Sequence, residues 1–280
     1  MKYIDIHAHL NFAVYQDDLS EVVKRTEEAE VAVINVGTQK NTSEKAVQLA
    51  LAHKHMYAIV GLHPIHTEAC FHDESELGAG NDAFTSRGEE FDYEFYKTLG
   101  KSEKVVGIGE CGLDYFRLTD GSYSAQSEAF DAQLRLAEEL KKPVMLHTRP
   151  QKGVGRRVYA DVLEHLKRYP NVVGNLHFFA GTWEEAKEFL NIGYTLSATG
   201  VITFVTDYHE VIKNIPLESL MSETDCPYVT PVPFRGQRNE PIHVREVVKK
   251  IAEIKNLPLE EVRIQLLKNA ERVFGISLSS

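Results

Sequence analysis

Eight short runs rich in β-branched and apolar residues alternate with longer stretches of helical periodicity, and this alternation constrains the fold more than any other feature. The runs are KYIDIHAHL (2–10), VAVINVG (31–37), YAIVGLHP (57–64), VVGIGECGLD (105–114), PVMLHTR (143–149), VVGNLHF (172–178), YTLSATG (194–200) and LMSETDCP (220–227). SAQSEAFDAQLRLAEEL places Phe130, Leu134, Ala137 and Leu140 at the three-to-four spacing of a core-facing helical stripe. TSEKAVQLALAHK reads as a helix capped by Thr42 or Ser43, and EEAKEFL, DYHEVIKNI, PIHVREVVKKIAEI and LEEVRIQLLKNAERVFG continue the pattern. Strands alternating with helices favour a parallel sheet. Eight is the number that closes a (β/α)8 TIM barrel. The expectation is an α/β barrel occupying residues 1–280 as one domain.

The residues that punctuate those runs are polar. His7 and His9 lie toward the end of the first run, His63 ends the third and Glu110 lies in the fourth. His147 lies near the end of the fifth, His177 near the end of the sixth and Asp225 in the eighth. Strand alternation predicts Asp5, His7 and His9 on one face of the first strand, with Ile4, Ile6 and Ala8 on the other. In a barrel of this type the active site gathers at the carboxyl ends of the strands, so these side chains would converge on one mouth. Alone, each reads equally as a hydrogen-bonded strand-end residue. Together, imidazoles and carboxylates suit divalent metal, and a carboxylate can bridge two cations ~3.5–4 Å apart. Cys111 and Cys226 each follow a carboxylate, so on a strand they would face away from it as small core residues.

Composition narrows the class. With 43% hydrophobic and 26% charged residues the chain reads as a globular protein. No apolar stretch suggests a signal peptide or a membrane span, and the three scattered cysteines, Cys70, Cys111 and Cys226, fit a reducing cytoplasm. A net charge of −10 disfavours non-specific attraction to nucleic acid while allowing a local basic rim. No obligate protein partner is evident. One acidic, glycine-rich excursion, from about 66 to 100, interrupts the rhythm. It reads as a loop beside the mouth plus one helix near FDYEFYKTL, or as a solvated insertion without a chemical role.

IDIHAHL, VGLHP, GIGECGLDYFR, VMLHTR, NLHFFAG and SETDCPYVTP resemble, in order and spacing, the TatD-type metal-dependent hydrolases of the amidohydrolase group. The likeness runs on through PVPFRGQRNEPIHV to NAERVF, nearly the whole chain. The resemblance implies a phosphodiesterase with two divalent cations (Zn²⁺, Mg²⁺ or Mn²⁺), typically acting on DNA. By that likeness His7, His9, Glu110 and Asp225 hold one cation, and Glu110 bridges to a second held by His147 and His177. PQKGVGRR after HTR, the long excursion after His66 and Ala180 in HFFAG depart from the pattern. The first two border the mouth and bear on substrate size.

The mechanism that follows has Asp225 orienting the attacking water and taking its proton. His63, without a cation in this scheme, is a candidate to hydrogen-bond the phosphate or the leaving group, or else a histidine satisfied by backbone. Arg149, Arg235 and Arg238 are candidates to present guanidinium forks to phosphate oxygens. The RGQRNEP loop also reads structurally, with Asn239 capping the next helix and Pro241 in its first turn. The alternatives are hydrolysis of an amide, lactone or ester on the same metal site, including aminoacyl-tRNA deacylation, and a non-enzymatic binding protein with a decayed site.

Overall fold

The computed structural model describes residues 1–69, 71–72, 84–85, 88–116, 122–151 and 157–278. Cys70, most of the tip of the 66–100 excursion and the middle of PQKGVGRR lie outside the described residues.

Each of the eight apolar runs forms a strand: β1 (Tyr3–Ala8), β2 (Val31–Val36), β3 (Met56–Val60), β4 (Val105–Asp114), β5 (Val144–Arg149), β6 (Gly174–Leu176), β7 (Thr195–Ala198) and β8 (Leu220–Ser222). They lie side by side in sequence order, every neighbouring pair parallel. An isolated parallel bridge between Ala8 and Cys226 brings the last strand's exit back to the first. At the same seam Asp5 accepts hydrogen bonds from Thr224 N at 2.9 Å and from Thr224 Oγ1 at 2.5 Å. The result is a nearly closed TIM barrel. The 66–100 excursion carries a short antiparallel pair, Phe71–His72 with Phe84–Thr85, and then a helix at Tyr93–Gly100 where FDYEFYKTL suggested one.

Two apolar layers hold the barrel. Ile4 and Ile6 of β1 meet Ala32 and Ile34 of β2, Ile59 of β3, Met145 of β5 and Met221 of β8 in one cluster. Strands from around the ring meet only in its interior, and Phe274, Ile276 and Leu278 pack against the same cluster. Ala8 belongs to a different layer, with Val22 and Val23 of α1 (Leu19–Glu28), outside the ring. This corrects the face expected for β1. Ile4 and Ile6 point inward, and so do the site histidines, which strict alternation forbids. A register shift between Asp5 and Ala8 supplies the missing half-step.

Two helix starts also differ from expectation. α2 (Lys40–Ala52) begins before Thr42, with Gln39 at its cap and the Thr42 hydroxyl accepting from Gln39 N at 2.9 Å. The turn Pro241–His243 is capped by Glu240 rather than Asn239, with Pro241 first in the turn as expected. Asn239 is fully buried and braces the loop instead, donating to Thr224 O and Tyr228 O at 3.0 and 2.6 Å. Cys111 and Cys226 are buried among apolar side chains, as read.

Candidate metal centre

The site sits where the strands end. β1 delivers His7, β4 delivers Glu110, β5 delivers His147, and the residues just past β1, β3, β6 and β8 deliver His9, His63, His177 and Asp225. Two glycines let β4 lie close against β5. Gly109 and Gly112 have φ of +143° and +138°, and a Cβ on Gly112 would stand 2.1 Å from His147 O. Only glycine tolerates both demands. That approach pairs Gly112 with His147 and sets Glu110 beside it.

Glu110 is the centre of the cluster. Its Oε2 lies 3.3 Å from His7 Nε2 and 4.0 Å from His9 Nε2. Its Oε1 lies 2.8 Å from His177 Nε2, 3.0 Å from His147 Nδ1 and 3.4 Å from His63 Nε2. Asp225 Oδ1 approaches the first group, 3.4 Å from His9 Nε2 and 3.7 Å from His7 Nε2. Within each group the nitrogens crowd together: His7 and His9 Nε2 are 3.1 Å apart, His147 Nδ1 and His177 Nε2 3.2 Å. All seven residues are buried or nearly so. Burial pushes the Glu110 carboxyl up, but His177, His63, His7 and His147 around it outweigh that and hold it well below the usual range. Burial likewise opposes ionisation of Asp225, and the hydrogen bond from His9 prevails to lower it. Burial drives His63 the other way, down to about 4.

The arginines divide. The Arg149 guanidinium lies 3.9 Å over the Phe116 ring and Arg235 lies 4.0 Å over Phe204; among the described residues neither forms an ion pair. Arg238 is engaged elsewhere, donating to Asp18 Oδ2 at 2.5 Å and to Val14 O at 2.8 Å while covering Tyr15. A guanidinium so occupied does not fit the phosphate clamp expected of it.

A family profile described as TatD related DNase matches residues 4–275. The chain belongs to the TatD family of metal-dependent hydrolases. The uncharacterized metal-dependent hydrolase YabD of Bacillus subtilis is 36% identical over 278 residues, covering 98% of this chain and 99% of that protein. The 3'-5' ssDNA/RNA exonuclease TatD of Citrobacter rodentium is 33% identical over 287 residues, covering 99% of each. The crystal structure of the TatD homologue YjjV from Escherichia coli superposes with a TM-score of 0.82, at 29% identity over 99% of each chain.

The hydrogen bonds around the TatD-family cluster fit it to metal. His9 Nδ1 donates to Val36 O at 2.9 Å, which leaves the Nε2 lone pair facing inward. His147 has its Nε2 on Asp114 Oδ2 at 2.8 Å, so Nδ1 faces Glu110. His177 turns Nδ1 toward Glu223 Oε1 at 3.4 Å, an ion-pair approach rather than a hydrogen bond, so Nε2 faces Glu110. A cation would replace the protons that otherwise link the inward nitrogens of His147 and His177 to the Glu110 carboxylate, and the His/Glu clusters here are able to hold metal ions. His63 is wired oppositely. Its Nδ1 accepts from Ile65 N at 3.1 Å, so the single proton of the neutral ring sits on Nε2 and points into the site. Asp114 and Glu223 were not singled out from the sequence. Their only signal was position, four residues after Glu110 in GECGLD and two before Asp225 in ETD.

Proposed function

We propose that this protein hydrolyses phosphodiesters of nucleic acid with two divalent cations at the barrel mouth, residues 1–280 serving as one barrel. The observation that carries the reading is the division of Glu110, one oxygen toward His7 and His9 and the other toward His147 and His177. His7, His9, Glu110 and Asp225 would hold the first cation, and Glu110, His147 and His177 the second. Divalent cations at such a site supply Lewis-acid activation of water and neutralise charge on the phosphoryl oxygens. Imidazole-rich ligation favours Zn²⁺, while Mg²⁺ or Mn²⁺ can support turnover.

The chain's own residues do the rest. Asp225, ionised and beside the first group of nitrogens, takes the proton of the attacking water. The new P–O bond forms as the bond to the leaving oxygen breaks, and the proton held by Asp225 passes to that oxygen, restoring the carboxylate. His63 stays neutral and donates its Nε2–H to a phosphoryl oxygen, the role its bond from Ile65 N prepares. Arg149 and Arg235, stacked on phenylalanines and free of carboxylate partners among the described residues, contact flanking phosphates. Phe204, 40% exposed, offers a ring beside Arg235. Nucleic acid is the substrate because the Citrobacter relative named as a 3'-5' ssDNA/RNA exonuclease aligns over 99% of this chain. Scattered cysteines support a cytoplasmic location. No helix among the described residues is long and apolar enough to cross a membrane.

The test is metal-stripped protein with each cation restored, assayed on single-stranded DNA, duplex DNA, RNA and small esters or lactones. Cation-dependent release of nucleotides is the expected result. Turnover of the small esters or lactones without cleavage of any nucleic acid would overturn the substrate assignment.

A further inference from the structure

We propose that Asp114 and Glu223 are positioning residues that fix which nitrogen His147 and His177 present to the second cation; this rests on the two-cation reading above.

Every oxygen of both carboxylates already faces a donor or a ring nitrogen. Asp114 Oδ1 accepts from Phe116 N at 2.8 Å and Oδ2 faces His147 Nε2 at 2.8 Å. Glu223 Oε1 accepts from Phe178 N at 2.7 Å and faces His177 Nδ1, while Oε2 accepts from Ser197 Oγ at 2.7 Å. Both are buried, Glu223 completely. Their own backbone is braced too: Gln126 clamps Asp114, accepting from its N at 2.8 Å and donating to its O at 3.0 Å.

An imidazole needs this help. Rotation about χ2 of histidine is broad and roughly two-fold, so a ring at the right place can still offer the wrong nitrogen. For His147 the outward nitrogen is Nε2 and for His177 it is Nδ1, so the two rings need opposite choices. One carboxylate behind each ring makes that choice, because only the N–H can face it. The two tethers also cross between sites. The GECGLD segment carries the bridging ligand and the tether of His147, and the ETD segment carries Asp225 and the tether of His177.

The experiment is a calorimetric titration of metal-stripped protein with Zn²⁺, and in parallel with Mn²⁺. Wild type should take up two equivalents. Asp114→Ala should weaken one of them by ~10–100-fold and leave the other near its wild-type affinity. Asp114→Asn, whose amide oxygen can still accept from the ring N–H, should recover part of the loss, which a merely structural role would not predict. Glu223→Ala and Glu223→Gln should repeat the pattern. If a Glu223 variant fails to fold, the Asp114 pair decides alone. Two equivalents at wild-type affinity in both alanine variants would overturn the proposal. A wild type that binds a single equivalent would overturn the two-cation reading instead, and the tether is then decided by whether Asp114→Ala weakens that equivalent.

Discussion

Arg238 and Asp18 meet at 2.5 Å although 220 residues separate them, so an arginine of the loop after β8 is bound to the segment that opens α1. The contact belongs to a network. Arg238 also reaches Val14 O and lies 4.4 Å over Tyr15, and Arg25 of α1 grips Glu240 at 2.6 and 2.7 Å. Arg238→Ala should therefore lower stability by ~1 kcal/mol, the upper end for a half-exposed pair, measured by denaturant unfolding of the metal-stripped protein. Its pH dependence follows from Asp18, whose carboxyl is held below the usual range first by the hydrogen bond from Arg238. Folding favours the ionised form, so the contribution is complete above about pH 4. It disappears as pH falls through the lowered value. The difference between wild type and Arg238→Ala should thus shrink in acid; a constant difference would mean that packing on Tyr15 carries it.

Arg235 should behave differently. Replacing it with Ala should raise the apparent KM for an oligonucleotide and flatten the salt dependence of binding by about one unit. A small activated phosphodiester, too short to reach the loop, should be hydrolysed nearly as before. Equal losses on both substrates would make Arg235 a support of the site rather than a phosphate contact.

Glu110→Gln should weaken both cations, because a neutral amide bridges poorly and both oxygens of Glu110 are within 3.4 Å of histidine nitrogens. Elemental analysis after dialysis reads the result. Retention of one full equivalent would leave the metal centre standing without its bridge.

Asp225→Asn removes the group proposed to take the water proton. General-base catalysis is typically worth ~10²–10⁴-fold, so turnover should fall in that range while the fold persists. Near-normal rates at full metal occupancy would transfer the proton to another group.

His63 separates donation from ligation. His63→Gln keeps an N–H donor and should retain more activity than His63→Ala, with metal content unchanged in both. Loss of an equivalent of metal from either variant would make His63 a ligand and contradict the wiring set by Ile65 N.

What could be seen in the sequence was whatever repeats or stands out chemically. The strand–helix rhythm placed all eight strands, because apolar period and length survive without tertiary knowledge. His7, His9, Glu110, His147, His177 and Asp225 were conspicuous as polar residues inside or at the ends of apolar runs. Ile4 and Ile6 were assigned to the wrong face because a register shift leaves no compositional trace. Arg238 read as a free cation because its partner lies at the far end of the chain. Asp114 and Glu223 stood hidden beside more obvious ligand candidates, and only the outward nitrogen of each histidine points to them.

The seam between β1 and β8 has a consequence for how such a centre comes into being. His7 and His9 emerge at the start of synthesis, but Asp225, and the Thr224 contacts that lock Asp5, arrive more than 200 residues later. Closing so long a loop is a late and slow event. A nascent chain therefore carries His7 and His9, and later Glu110, without Asp225 through most of translation, and cannot complete the first candidate ligand set until the ring shuts. Full assembly of the candidate cation site is in this way tied to closure of the barrel.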